Sequence, residues 1–382
     1  MRNEQFRKVA AAAIVAAGFC VLALLYAMSM TDADAARRDF IGYWAAGQQI
    51  VRGASPYDTR AVLAMEAAVG LGAEQIKITP SPPAGLALVV PLGFLGAKAG
   101  LVFWTVLEIA CLAVSIWIVW IVQGRPPTRV HLLGFLFAPA LACIMAGQLG
   151  VFFLLGVALF LLWHEKHPLV AGAALFACAL KPHLFLPVAV VLLLYCAWRR
   201  AWGILIGFAA GLLASNAIVW WFDPRIWTQY REMMMTEGVS NRFAPTLSAE
   251  LRLHVGPHIL WLQYLPMAVA CAWAAWFFWK EREGWAWRDQ GMLVLLAGIL
   301  CAPYAWITDE SVLLPAVLFG IYRAMAAKRS LIPLALAAAG ALIELYANVR
   351  VTAWYYLWTT PAWLAWYLYA TREHGDTVIA AH

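Results

Sequence analysis

The run from Ala99 to Val122, AGLVFWTVLEIACLAVSIWIVWIV, contains a single charged residue, Glu108. A helix needs roughly 20 apolar residues to cross the hydrocarbon core of a bilayer, and this run exceeds that length. Runs of similar composition recur along the whole chain, and the sequence shows none of the short alternating strands of a barrel. It therefore predicts an all-α, polytopic transmembrane bundle. The apolar runs lie at about 9–30, 82–96, 99–122, 130–147, 149–163, 168–180, 184–198, 201–222, 259–279, 290–307, 311–326, 330–348 and 351–370.

The composition also indicates a membrane protein. Of the 382 residues, 64% are hydrophobic and 13% are charged, whereas a soluble domain is about 25% charged. The formal charge of +6 comes from basic residues that are scattered over short loops, which argues against nucleic-acid binding. All seven cysteines lie in apolar runs without a CxxC pair, so we expect them to be small core residues.

The distribution of arginine and lysine decides the predicted topology. With the N-terminus in the cytoplasm, the short basic loops all fall inside only if the proline-containing run 82–96 does not span. We therefore place that run in the outer interface. This arrangement gives about 12 spans in a single membrane domain of residues 1–382, with both termini cytoplasmic. Two large loops, 31–98 and 223–258, then face the outer side of the cytoplasmic membrane.

The first outer loop is predicted to hold two amphipathic helices that lie on the membrane surface. An apolar stripe at helical spacing starts at Phe40 and ends at Val51, with Asp39 at the N-cap position. Asp58 takes the same place before a second helix, whose apolar stripe starts at Val62.

Short motifs follow one another in order from about residue 37 to residue 315. They are Asp39-Phe40 with Tyr43, Gly53-Ala54-Ser55-Pro56-Tyr57-Asp58, Ala146-Gly147-Gln148, Ala171-Gly172 through Lys181-Pro182, and Ala302-Pro303-Tyr304-Ala305-Trp306. Together they resemble glycosyltransferase family 87. The resemblance implies a membrane enzyme of GT-C type that moves a sugar, often mannose, from a polyprenyl-phosphate carrier to an acceptor at the outer face. After the last motif many members carry histidines, where this chain has Ile307-Thr308-Asp309-Glu310.

The family's first-loop aspartate falls on Asp39. A carboxylate there would take the proton of the acceptor hydroxyl as the sugar–phosphate bond breaks. The alternative is a plain N-cap, which is worth about 1 kcal/mol. For Asp58, the N-cap is the favoured interpretation.

Several cationic residues are candidate ligands of the donor phosphate. Lys181 and His183 stand between two apolar runs, where a charge is costly and usually functional. Lys181 would stabilise the leaving phosphate, although a lysine there can also snorkel to lipid headgroups. Arg38 and Lys77 would add charge-assisted hydrogen bonds to phosphate, or else neutralise the headgroup layer.

Three further residues complete the predicted substrate-binding set. Neighbours on a helix point about 100° apart, so of Asp309 and Glu310 we expect one, Asp309, to face the site. Gln148 either caps a helix or bonds a sugar hydroxyl, and Tyr57 belongs to the second motif. We expect neither a metal nor another cofactor, because the acidic pair Asp32 and Asp34 precedes the site.

We therefore expect a membrane hexosyltransferase of the cell envelope. Its partners would be a polyprenyl-phosphate-linked sugar, a glycolipid or glycan acceptor and membrane lipid, without nucleic acid. The main alternative is a lipid-linked-sugar flippase or secondary transporter, for which inverted repeats and broken helices at the midplane would be typical. A structural subunit with a degenerate site is a third possibility.

Overall fold

The computed structural model of the protein describes residues 24–70, 81–236, 246–347 and 353–372. Every regular element in these ranges is helical, as the sequence predicts. Lys77 and most of the first apolar run lie outside the described residues.

The chain divides into two compact units, which are described one after the other. Unit 1 comprises residues 1–110 and 218–233, and unit 2 comprises residues 111–217 and 234–382. That the chain forms a single membrane domain stays a prediction.

The helices of the described residues follow the apolar runs. In chain order, the α-helices are α1 (Asp32–Ala36), α2 (Phe40–Val51), α3 (Thr59–Ala68), α4 (Pro83–Leu86), α5 (Ala97–Val122), α6 (Ala138–Ala146), α7 (Gly150–Trp163), α8 (Pro168–Ala174), α9 (Pro182–Arg199), α10 (Trp202–Phe222), α11 (Ile226–Thr236), α12 (Leu247–Val255), α13 (Leu265–Glu281), α14 (Met292–Leu300), α15 (Leu314–Ala326), α16 (Ile332–Ala347) and α17 (Thr359–Thr371). Three 3₁₀ segments matter below, namely Val90–Phe94, Leu175–Leu180 and Ile307–Leu313.

Within the described ranges, three helices have the length and composition of membrane spans: α5, α9 and α10. They begin and end close to the apolar runs predicted at 99–122, 184–198 and 201–222. Helices α7 and α16 are apolar but shorter. The architecture is that of a helical membrane protein, while the count of about 12 spans and the topology stay predictions.

Residues 82–96 form two short pieces instead of one continuous helix. Helix α4 ends at Leu86, and the 3₁₀ segment Val90–Phe94 contains Pro91. A proline removes a backbone donor and disfavours a continuing helix. The proline accounts for the break, while the placement of this run in the outer interface stays a prediction.

The prediction of an amphipathic surface helix is wrong for α2. The helix forms where expected, but its residues up to Ile50 are all buried. Tyr43 stacks on Trp104 of α5 with ring centroids 6.0 Å apart. The indole Nε1 of Trp44 donates a hydrogen bond to the Leu95 carbonyl oxygen at 2.8 Å. Helix α2 is therefore an internal helix of unit 1, because α5 and residues 90–95 cover faces that its sequence alone leaves open.

Helix α3 begins as predicted. The Asp58 carboxylate accepts the backbone N–H groups of Arg60 and Ala61 at 3.0 and 3.1 Å. Val62 is buried and Met65 is half-buried, but Glu66 is buried one turn after Val62, so the covered face of the helix is not purely apolar. The N-cap role of Asp58 is confirmed.

The backbone of α2 closely approaches the 3₁₀ segment Val90–Phe94 at two glycines. A Cβ atom on Gly93 would overlap the Gly47 carbonyl oxygen and lie 2.6 Å from Val51 Cγ1. We expect Gly93→Ala to lower the free energy of unfolding by about 1–3 kcal/mol, because overpacking forces the backbone to shift. Gly96→Ala is the matched control, since its Cβ would meet no described atom within 4 Å. Thermal unfolding of both variants in one detergent tests this, and equal melting temperatures would contradict the close approach.

The 3₁₀ segment Ile307–Leu313 is the central element of unit 2. All its residues are buried, and it packs against α6, α7, α14, α15 and α17. The approach of α7 is tight, because a Cβ atom on Gly150 would overlap both the Thr308 carbonyl oxygen and Ser311 Oγ. The acidic residues of this segment are thereby held among helices and are not part of a solvated loop.

Candidate active site

A buried ion pair lies at the centre of unit 2. Lys181 Nζ donates a hydrogen bond to Asp309 Oδ1 at 2.6 Å. The Asp309 side chain is 0% exposed and that of Lys181 is 15% exposed. Lys181 stands between the 3₁₀ segment Leu175–Leu180 and α9, and Pro182 occupies the first position of that helix. The junction between these two apolar elements therefore places the Lys181 ammonium next to the acidic 3₁₀ segment Ile307–Leu313.

Asp309 uses both of its carboxylate oxygens within the protein. Oδ2 accepts the backbone N–H of Trp306 at 3.0 Å, while Oδ1 accepts from Lys181. The sequence led us to expect that Asp309 would contact substrate. In the structure this carboxylate instead holds the Lys181 ammonium in place.

Lys181 keeps its charge and part of its hydrogen-bonding capacity. Burial acts to lower the pKa of Lys181, but the charge of Asp309 and the hydrogen bond to it outweigh burial, and the net pKa lies above its ordinary value. An ammonium group has three N–H donors. Toward the described residues it uses one of them, the bond to Asp309, so two donors are available to an anion.

His183 stands beside this pair. The charges of Lys181 and Asp309 both act on its ring. Its Nε2 atom is buried and has no hydrogen-bond partner in the part of the chain that the structure describes. Leaving a buried polar atom unpaired costs on the order of 1–3 kcal/mol. The other ring nitrogen is hydrogen-bonded to the backbone of Tyr304, so in the neutral ring Nε2 is an acceptor. A ligand hydroxyl that donated to Nε2 would recover this energy.

Two aromatic residues that the sequence analysis did not select border the same place. The Tyr304 ring meets the His183 ring edge-on, with centroids 5.9 Å apart. Trp306 Nε1 donates to the Tyr304 hydroxyl at 2.5 Å. Both belong to the motif Ala302–Trp306. The sequence signal that could have placed them at the site is this motif, which resembles the family.

Gln148 lies in the turn between α6 and α7. Gly147 has φ 71°, and the backbone N–H of Gln148 donates to the Cys143 carbonyl oxygen at 3.0 Å, which closes the end of α6. Helices α6 and α7, on either side of this turn, both pack against the 3₁₀ segment Ile307–Leu313 that carries Asp309. Gln148 is half-buried, and its turn lies near the ion pair, as a candidate ligand of a sugar hydroxyl requires.

In unit 1, Asp39 occupies the predicted N-cap position of α2. Its side chain makes no capping hydrogen bond and is exposed. Asp58 differs in this respect, since its carboxylate does cap α3. The plain N-cap interpretation therefore does not account for the Asp39 carboxylate.

The other unit 1 candidates are less open to a ligand. Arg38 is half-buried, and its Nη2 lies 3.9 Å from Met30 Sδ. Tyr57 is buried, and its hydroxyl donates to the Ser81 carbonyl oxygen at 2.7 Å. This bond ties Tyr57 to Ser81, and that Tyr57 binds substrate stays a prediction. Lys77 lies outside the described residues.

Asp32 and Asp34 are spaced like a metal-binding pair, but both carboxylates accept hydrogen bonds from backbone N–H groups. Asp32 Oδ1 accepts the N–H of Lys98 at 2.8 Å, and Asp34 Oδ2 accepts the N–H of Thr31 at 2.8 Å. Within the described ranges, no three His, Cys, Asp or Glu side chains gather as a metal site would require. That the reaction needs no metal stays a prediction.

The sequence matches the family model described as Glycosyltransferase family 87 over residues 81–316, which is more than half of the chain. Gln148, Lys181, His183 and Asp309 fall within this range, whereas Asp39 precedes it. No curated protein and no solved structure matches the chain. The family match indicates a glycosyltransferase, and the apolar helices indicate a membrane protein. The chain belongs to glycosyltransferase family 87, and it is a membrane glycosyltransferase.

Proposed function

We propose that this enzyme moves a hexose from a polyprenyl-phosphate carrier to a hydroxyl of a glycolipid or glycan at the outer face of the cytoplasmic membrane. Mannose is the first sugar to test. The observation that carries the proposal is the buried Lys181–Asp309 pair beside His183, whose Nε2 has no hydrogen-bond partner among the described residues. This group lies in the family-matched part of a membrane chain.

The charge on the donor explains why a buried ammonium is useful. When the sugar leaves, the carrier phosphate gains negative charge. Two free N–H donors on Lys181 would stabilise that charge, and such bonds are stronger where water is excluded. Asp309 fixes the ammonium in advance, so little reorganisation is needed at the moment of reaction. His183 Nε2 would accept a hydrogen bond from a hydroxyl of the sugar.

Asp39 is the proposed general base. Its carboxylate would take the proton of the acceptor hydroxyl, the hydroxyl oxygen would form a bond to the anomeric carbon, and the bond from that carbon to the phosphate oxygen would break. Polyprenyl phosphate would leave with the bonding electrons. With one carboxylate acting as base and none as nucleophile, the anomeric configuration should invert.

A flippase or secondary transporter is the competing candidate, and it would move the same lipid-linked sugar without breaking it. Membership of a glycosyltransferase family favours the enzyme. A structural subunit with a degenerate site would neither transfer nor move the sugar.

Turnover with defined donors tests the proposed function. Purified protein in nanodiscs should release polyprenyl phosphate from a synthetic polyprenyl-phosphate mannose when an acceptor is present, and it should release nothing from a nucleotide sugar. Mass spectrometry of both lipid products measures this. Translocation of an intact lipid-linked sugar in proteoliposomes, with no release from any sugar tried, would contradict the proposal and favour a flippase.

A further inference from the structure

Glu310 is a buried carboxyl group that has no part in the proposed transfer. It is 5% exposed and points from the 3₁₀ segment Ile307–Leu313 toward α17. Its Oε1 lies 2.7 Å from Thr359 Oγ1 and 2.8 Å from Thr360 Oγ1. Its Oε2 accepts the indole N–H of Trp363 at 2.9 Å. All these contacts come from a single helix.

The contacts require one more proton than the neighbouring groups supply. The Thr359 hydroxyl also lies 2.7 Å from the Tyr356 carbonyl oxygen, which can only accept. Two threonine protons must therefore serve three oxygen–oxygen contacts. A proton on Glu310 Oε1 completes the set: it is donated to Thr359, the Thr359 proton goes to Tyr356, and the Thr360 proton goes to Glu310.

The electrostatic surroundings agree with a neutral acid. Burial raises the pKa of Glu310 to about 7, against the opposing effect of the hydrogen bonds from Thr359, Thr360 and Trp363. The charge of Asp309 adds to the rise. Asp309 is itself paired with Lys181.

Asp309 and Glu310 are neighbours with different partners. Successive side chains of a 3₁₀ helix point about 120° apart, so fixing one of them fixes the direction of the other. We propose that Glu310 is kept as a neutral carboxylic acid that fastens the 3₁₀ segment Ile307–Leu313 to α17 and thereby positions Asp309 against Lys181. Its positioning role rests on the proposed function, whereas its protonation does not.

Two substitutions separate the neutral acid from an ionised one. In Glu310→Gln, the amide NH2 replaces the acid O–H toward Thr359 and can also donate to the Thr360 hydroxyl, while the amide oxygen still accepts from Trp363. The one loss is the acceptor of the Thr360 proton. We expect kcat close to that of the wild type. In Glu310→Leu, the fastening is lost, and we expect kcat to fall about 100-fold, the size of effect that a displacement of about 1 Å in a site produces. If the folded Gln variant were as impaired as the Leu variant, the neutral acid would be excluded. A wild-type kcat in the Leu variant would exclude the positioning role.

The protonation has its own readouts, which need no turnover. Infrared spectra at a pH below 7 should contain a protonated-carboxyl band that Glu310→Gln removes. The folded protein retains a proton that the unfolded chain loses near its ordinary pKa of 4.5. The melting temperature of the wild type should therefore fall relative to that of Glu310→Gln as the pH rises from about 4.5 to about 7. An identical band in both proteins, or parallel melting curves over this range, would overturn the proposed protonation.

The link to Asp309 can also be measured in an inactive protein. Lys181→Met should lower the melting temperature less in the Glu310→Leu background than in the wild type, because the ion pair is already misplaced. Equal losses would overturn the positioning role. If the wild type transfers no lipid-linked sugar, the proposed function fails, while these stability and infrared results still decide the inference about Glu310.

Discussion

Replacing Lys181 with methionine is expected to abolish sugar transfer and to lower the free energy of unfolding by about 3–5 kcal/mol. The transfer is lost because the departing phosphate loses its cation. The stability is lost because Asp309 is 0% exposed and is left as an unpaired buried charge. Product formation and thermal unfolding of the purified variant measure the two effects.

A double variant separates these two effects. The double variant Lys181→Met with Asp309→Asn has no charge at either position of the pair. The asparagine oxygen can still accept the hydrogen bond from the Trp306 backbone N–H. Removing both charges of a buried pair is often close to neutral, so most of the stability should return while transfer stays absent. Lys280→Met is the control. Lys280 also lies in unit 2, but it is 63% exposed and lies over the Trp276 ring, so its loss should cost less than about 1 kcal/mol.

Each outcome bears on one claim. A Lys181→Met variant that transfers at the wild-type rate would remove Lys181 from the phosphate site. A double variant as unstable as the single one would show that the buried charge of Asp309 is not the cause of the instability.

Features that depend on the local sequence were predictable. Hydropathy located α5, a helix long and apolar enough to span a membrane, close to its observed bounds, because an apolar run in a membrane must satisfy its backbone within one helix. The N-cap of Asp58 followed from its position before the apolar stripe of α3. The position of Lys181 between two helical elements followed from the apolar runs that flank it, whereas its role in binding phosphate stays a prediction. The angular argument for Asp309 and Glu310 also agrees with the structure, since the two side chains face different partners.

Features that depend on distant partners were not predictable. The ion pair joins Lys181 to a residue 128 positions away, and neither residue's neighbours in sequence indicate the other. The apolar stripe of α2 predicted a surface helix with one exposed polar face. That prediction failed because Trp104 and Leu95, which cover the helix, are distant in sequence. The hydroxyl of Tyr57 has a backbone partner that no motif reveals.

Asp39→Asn is expected to lower kcat by about 10²–10⁴-fold, the range that a general base contributes. The amide is the same size as the carboxylate but cannot take a proton. KM for the donor should change little, because Asp39 acts on the acceptor hydroxyl. The melting temperature should also change little, since the side chain is exposed and makes no capping hydrogen bond, and exposed interactions are worth about 0–1 kcal/mol.

The chain supplies a matched control in Asp58, a second aspartate that precedes a helix of unit 1. Its carboxylate caps α3 through two backbone N–H groups, so Asp58→Ala should cost about 1 kcal/mol of stability and leave kcat unchanged. The two variants should therefore show opposite patterns, with Asp39→Asn losing rate and Asp58→Ala losing stability. If Asp39→Asn kept its rate, another group would have to accept the acceptor's proton. If it lost its fold as well as its rate, Asp39 would be a structural residue, and its assignment as the base would have no support.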